Sequence, residues 1–433
     1  MILDIGITDV KESNEFLSSL WAEMASEFGK CAWQYMPEKN KQTKTITFGF
    51  MDIGVSVLMT GITYKSNGSI IKLFFRHCDT SYKYRGEQEE VLKKESQLGQ
   101  RLVRVVRKAR RGMGKYNEYF ANPTIKSLFS LSSYEGNGFK TEIGLDNKTR
   151  INFPIFAYDE NQVQGKITQK TNQVIDFLSV ETNAPFWITS SFDPEDERIK
   201  GLTDEVYQEP DFIDGFSVEG DYLTISEEAK GFLSYLIENN GEDEELLTFL
   251  NACSHFHTAR KYDAQIHDYQ GYIDHPLKDG SSVEIETYTQ NQDLKTSLVT
   301  GESQIEIATT LYMSALEVVT LIGFQSERCK ECKQDKYGIA SRVRYLVSYY
   351  LNSHIAEILY GYYDKRSKYL HRGNMLTNDI PTRSTVPLLD VNQENGCKYP
   401  MQVSLINLRE YTSYILRRFY KEHILNKKVN MEL

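Results

Sequence analysis

The chain has 433 residues, 40 % hydrophobic and 25 % charged, with a formal net charge of -10, which gives room for two or three domains that bury their own cores without disulfides or metals. No run approaches eighteen apolar residues, and the opening Met1-Ile-Leu-Asp-Ile lacks a cationic stretch ahead of an apolar one. Neither a membrane span nor a signal peptide is therefore expected, and the expected location is cytoplasmic. Six scattered cysteines do not form a disulfide framework, in keeping with a reducing compartment.

Residues 14 to 30 place apolar side chains at helical spacing and predict an amphipathic helix. Strands follow: Thr43 to Phe50 alternates, Gly54 to Tyr64 is rich in β-branched residues, and Asn67-Gly68 ahead of Ile70 to Phe75 marks a hairpin turn. The spacing next predicts a long helix over 87 to 114, with Leu98, Leu102, Val105 and Ala109 along one face. Beside that face Arg101, Arg104, Lys108, Arg111 and Lys115 recur every three or four residues. Such a stripe is either a solvated flank or a surface facing nucleic acid. From Tyr116 to Tyr222 short strand-like runs alternate with turns. Asp193 to Asp221 then holds 11 acidic against 2 basic residues, which reads as an exposed loop or linker.

After Ser226 the pattern becomes helical. Ser226 is placed as an N-cap, and helices are predicted over 229–238, 244–262, 304–324, 339–360 and 404–425, with a polar insertion over about 263–303 that contains a candidate strand at Val283 to Tyr288. His255 and His257, two apart on a helix, do not share a face and read as packing or surface residues. Cys329-Lys-Glu-Cys332 is half of a zinc site without a second pair. The expected fold class is α+β: a β-rich N-terminal domain over 1–225, then an all-α domain over 226–433. Charge divides differently. Residues 328–433 carry 18 basic against 10 acidic groups, net +8, while the rest carry 32 against 50, net -18. A polyanion is drawn to the C-terminal quarter.

Within that quarter lies Asp364-Lys-Arg-Ser-Lys-Tyr-Leu-His-Arg-Gly373. Arg366 is a permanent planar cation that grips phosphate, and His371, at the end of an Arg-x4-His spacing, titrates near neutral pH. Together they are in outline a phosphodiester-cleaving pair, with the histidine moving a proton and the arginine stabilising the charge that builds on phosphorus. Lys365, Lys368 and Arg372 are candidate phosphate ligands, and Tyr362, Tyr363 and Tyr369 candidate base-stacking rings, with surface charge or packing as the alternative for each. Glu317 and Arg342 are candidate polar supports, or members of ordinary salt bridges.

Three segments, Leu311 to Glu317, Ser341 to Val347, and Tyr363 to Gly373 with its Arg-x4-His, resemble a HEPN domain of the type found at the C-terminus of ApeA-like anti-phage defence proteins. The resemblance covers about 244–425 in short matches. Many members have Asn, Asp or His after the arginine, where this chain has Ser367. It implies an all-α bundle that forms a homodimer with a composite site, a metal-independent endoribonuclease acting on RNA (tRNA among the candidate substrates) in abortive infection, no cofactor, and an N-terminal domain that senses or gates, with a phage-derived trigger. Two other readings remain open: a non-catalytic dimerisation or sensor module, and a nucleic-acid-binding regulator using the Arg101 to Lys115 stripe.

Overall fold

In the computed structural model, the described residues are 1–29, 31–37, 44–53, 57–77, 92–136, 138–193, 218–219, 222–239, 243–266, 268–276, 282–289, 294–325, 327–328, 335–336, 338–372, 388–389, 397–398 and 405–426. The chain is α+β and divides into two compact units, Met1–Tyr119 with Ile155–Lys166, and Phe120–Pro154 with Ile167–Leu433. The step at 225/226 thus lies inside the second unit.

The first unit is an antiparallel sheet with two helices. Strands β1 (Ile2–Asp4), β2 (Cys31–Pro37), β3 (Lys44–Asp52), β4 (Val57–Tyr64) and β5 (Ile70–His77) are ordered β1-β5-β4-β3-β2. The Asn67-Gly68 turn joins β4 to β5 as its sequence predicts: Gly68 takes φ +82°, and its N–H donates to the Lys65 carbonyl at 3.0 Å. Helix α1 (Val10–Phe28) begins earlier than its apolar pattern because the Asp9 carboxylate accepts from the Glu12 N–H at 2.8 Å, and it stops at Gly29, φ +80°. Helix α2 (Gln97–Gly112) starts at the Ser96 cap; the first part of the longer predicted helix, 87–91, lies outside the described residues. Phe16, Leu20, Trp21 and Met24 of α1 join Leu98, Leu102, Val105 and Ala109 of α2 over Met51, Leu58, Leu73 and Phe75 of the sheet.

Past β6 (Asn117–Ala121) come strands β7 (Thr124–Lys126), β8 (Ser130–Leu131), β9 (Tyr134–Gly136), β10 (Phe139–Gly144), β11 (Lys148–Ala157) and β12 (Trp187–Thr189), in the second unit apart from the last three residues of β11. Their main sheet runs β12-β7-β11-β10-β9, and β8 pairs instead with β14 (Tyr222–Leu223), which pairs with β13 (Val218–Glu219). A helix absent from the sequence reading, α3 (Glu160–Thr182), lies between β11 and β12. Most of Asp193 to Asp221 lies outside the described residues.

The helices that follow are α4 (Glu227–Glu238), α5 (Glu244–Ile266), α6 (Leu294–Val319), α7 (Ile339–Tyr350), α8 (Ser353–Arg372) and α9 (Leu405–Phe419), which ends in a π-helical turn over Tyr420–Leu425. Ser226 does cap α4, accepting from the Ala229 N–H at 3.2 Å. The insertion departs from the all-α expectation, since β15 (Asp268–Pro276) and β16 (Ser282–Thr289) form an antiparallel hairpin between α5 and α6. Two-residue strands also pair at 327–328 with 335–336 and at 388–389 with 397–398. Phe177 and Phe232 stack at 4.2 Å, and Tyr420 meets Phe177 edge-on at 5.1 Å. The Tyr420 hydroxyl donates to the buried Glu181 carboxylate at 2.8 Å. No helix among the described residues is long and apolar enough to cross a membrane.

Candidate functional site

Helix α8 continues without a break through the basic stretch to Arg372. On that helix Arg366 and His371 are five residues apart, hence about 140° round the axis and about 7.5 Å along it. Arg366 turns toward the bundle. Its guanidinium donates to a Glu317 carboxylate oxygen and, at 3.0 Å, to the Ser314 hydroxyl, both on α6. The side chains of Arg366 and Glu317 are 16 % and 15 % exposed, so the pair is partly shielded from water, and the Arg366 Nε finds no acceptor among the described residues.

Three further groups converge on this pair. Arg342, from α7, lies in the field of Glu317 and stacks its guanidinium on the Phe324 ring at 3.8 Å, and its buried Nε and Nη1 find no acceptor among the described residues. Burial lowers its pKa, and Glu317 counters this. Burial raises the pKa of Glu317, against the opposing pull of Arg366 and Arg342. Burial likewise raises that of Tyr363, with Glu317 adding to the effect. The third group is His255 on α5, whose pKa is lowered first by burial and then by the Arg366 charge. Both causes favour the neutral form of the His255 imidazole, which lies within reach of the arginine's field. Nothing in its local spacing marks it out, because the approach of α5 to α8 is a property of the packed bundle.

The other predicted residues scatter. Ser367 and Tyr369 are half-buried and Arg372 is exposed, while the side chains of Lys365, Lys368 and His371 lie outside the described residues. Tyr362 is 5 % exposed and its pKa is pushed up to about 12 by burial. It is a core ring, not a stacking platform, because its place on α8 faces inward. Cys329 and Cys332 lie outside the described residues, and among the described residues no three metal-ligating side chains cluster.

His257, read as a packing or surface residue, is a core group. It is fully buried and spans two segments: Nδ1 lies 2.7 Å from the Asp176 carboxylate, and Nε2 is 3.0 Å from the Phe186 N–H. A neutral ring that donates through Nδ1 and accepts at Nε2 meets both partners, and burial lowers its pKa. In the first unit the α2 stripe is partly spent on structure. Arg101 pairs with Glu27 at 2.7 Å and Lys108 approaches Glu23 at 4.0 Å, both acids on α1. Arg104 and Arg111 remain exposed.

No protein-family model, curated protein or solved structure matches the chain.

Proposed function

We propose that the protein is a metal-independent endoribonuclease of the HEPN type, acting in bacterial anti-phage defence. The observation that carries this reading is the setting of Arg366. It is held by Glu317 and Ser314 beside Arg342, on the same helix as His371 and in the basic C-terminal quarter of an acidic chain. In the proposed reaction the RNA 2′-oxygen attacks the adjacent phosphorus. The 5′-oxygen leaves, one imidazole takes the 2′-hydroxyl proton and another protonates the leaving oxygen, and the product carries a 2′,3′-cyclic phosphate. Arg366 balances the charge added on phosphorus. A single α8 presents Arg366 and His371 about 140° apart, so a groove between two copies of the chain suits them better than a pocket within one.

The pairing of Arg366 with Glu317 also favours a second reading, in which that arginine is structural and the helices form a non-catalytic dimerisation or sensor module. Purified protein incubated with RNA in EDTA decides between them. The nuclease reading expects 2′,3′-cyclic phosphate ends, lost by about a hundredfold or more in His371→Ala. Equal, background-level cleavage by wild type and variant, or a strict metal requirement, overturns it.

A further inference from the structure

Helix α2 carries Arg101, Arg104, Arg107, Lys108, Arg110 and Arg111 and no acidic residue. Three of these cations are engaged by the fold. Arg101 pairs with Glu27 and stacks its guanidinium over Phe28 at 4.8 Å, Lys108 approaches Glu23, and Arg110 donates to the Ile5 carbonyl at 3.1 Å. The other three, Arg104, Arg107 and Arg111, are exposed and make no hydrogen bond or ion pair among the described residues. At about 100° per residue these three fall within an arc of about 60° and span about 10 Å of helix axis. That arc is roughly opposite the buried face of Leu98, Leu102, Val105 and Ala109, so it points straight to solvent. Cations three and four residues apart on one helix repel and weaken it, and a solvated face ordinarily interleaves both signs. A row of three unbalanced guanidiniums points to a polyanion.

The chemistry of that face narrows the partner. A membrane-surface helix sinks an apolar face into lipid, but the apolar face of α2 is committed to the core with α1 and the sheet. A protein interface is built around an apolar, aromatic-rich centre, and the arc of Arg104, Arg107 and Arg111 holds no apolar side chain. A single nucleic-acid strand is held by stacking its bases on aromatic rings, and α2 contains none. What remains is a row of phosphates whose bases are turned inward. We propose that α2 lies against the backbone of a double-stranded nucleic acid, with Arg104, Arg107 and Arg111 on its phosphates. The planar guanidinium fork grips two phosphate oxygens at once. A duplex carries one charge about every 1.7 Å of its axis, so a face about 10 Å long meets several phosphates in any register. Such contacts position the duplex and read no base. This surface lies in the first unit and does not rest on the nuclease reading of Arg366 and His371.

Duplex RNA and duplex DNA share this backbone charge and differ in groove shape. Fluorescence anisotropy of the full chain separates them, using labelled duplexes of about 16 base pairs in DNA and in 2′-O-methyl RNA, which resists attack by its own 2′-oxygen. One DNA strand alone, poly-L-glutamate and phosphatidylglycerol vesicles complete the set. The triple variant Arg104→Gln, Arg107→Gln, Arg111→Gln removes three charges that face away from the core, and an unchanged melting temperature verifies its fold. A matched triple variant, Lys44→Gln, Lys65→Gln, Lys72→Gln, removes three exposed cations from elsewhere in the same unit. The α2 variant should bind the preferred duplex roughly thirtyfold or more weakly at about 100 mM salt, and the slope of log Kd against log salt should fall by about 2.7, about 0.9 for each lost phosphate contact. The matched variant should weaken binding by less than about threefold. The tighter of the two duplexes, if lost in this way, is the occupant. Equal binding by wild type and the α2 variant, or an equal loss in the matched variant, overturns the proposal. So does an α2-dependent affinity for the single strand, poly-L-glutamate or vesicles that equals the affinity for the duplexes.

Discussion

The link between α8 and α6 can be measured by a double-mutant cycle on Arg366 and Glu317. Exposed ion pairs contribute about 0–1 kcal/mol, whereas removing one partner of a buried pair costs about 3–5 kcal/mol. With side chains 16 % and 15 % exposed, this pair belongs nearer the buried limit, but Arg342 remains as a second counter-charge for Glu317 and reduces the cost. Arg366→Met keeps the aliphatic stem, removes the bond to Ser314 and leaves the carboxylate with Arg342 alone, at a cost of about 2–3 kcal/mol. Glu317→Leu strands two guanidiniums near each other and should cost a similar amount. The double variant leaves no unpaired charge at the pair itself, so it should be more stable than the sum of the singles predicts by about 1.5–2.5 kcal/mol. Urea unfolding followed by far-UV circular dichroism at neutral pH reads these differences as shifts in midpoint of up to about 1 M. Single-variant effects that add within about 0.5 kcal/mol would show that the two side chains do not interact, and would remove the support assigned to Arg366.

Two further expectations concern the scaffold. His257 and His255 both have lowered pKa values in the folded chain, so each binds its proton more readily once unfolded; stability is fully present above the unfolded value near 6.5 and declines as pH falls below it. The decline should approach about 1.4 kcal/mol per pH unit for each histidine that stays neutral, and His257→Gln should flatten the curve measured by urea unfolding between pH 7 and 5; an identical slope in the variant refutes the assignment. In the first unit, a Cβ at Gly61 would lie 2.2 Å from the Phe74 ring and 2.7 Å from the Ile46 carbonyl. Gly61→Ala should therefore lose about 1–3 kcal/mol by thermal unfolding, and an unchanged melting temperature would refute the close approach of β4 to its neighbours.

How much of this could be read in the sequence depended on how local each cause was. The Asn67-Gly68 turn and the apolar face of α2 were legible because turn chemistry and one-sided burial leave their marks within a few residues. Helix α3 was not. Its second half buries Thr171, Val174, Ile175, Phe177, Leu178, Ser179 and Thr182 on all sides, while its first half is polar, so no stripe forms. In the hairpin between α5 and α6 the second strand, β16, is legible from the alternation over Val283 to Tyr288, whereas β15, with Gly271 inside it and Pro276 at its end, carries no such alternation.

The candidate site has the same division. Arg366 is marked by its neighbours in sequence, but its partner Glu317 lies 49 residues away, and the choice of that carboxylate depends on how α6 packs against α8. Arg342 is the residue whose meaning changes most. As sequence it is one support among several, explicable by a salt bridge within its own helix. In the fold Glu317, the described carboxylate whose field reaches it, is already bonded to Arg366, and it stands at a helix start without a side-chain cap, where a cation is disfavoured. Its guanidinium rests instead on the Phe324 ring at 3.8 Å, a contact set by where the chain just past α6 meets the start of α7 and therefore not legible in local spacing.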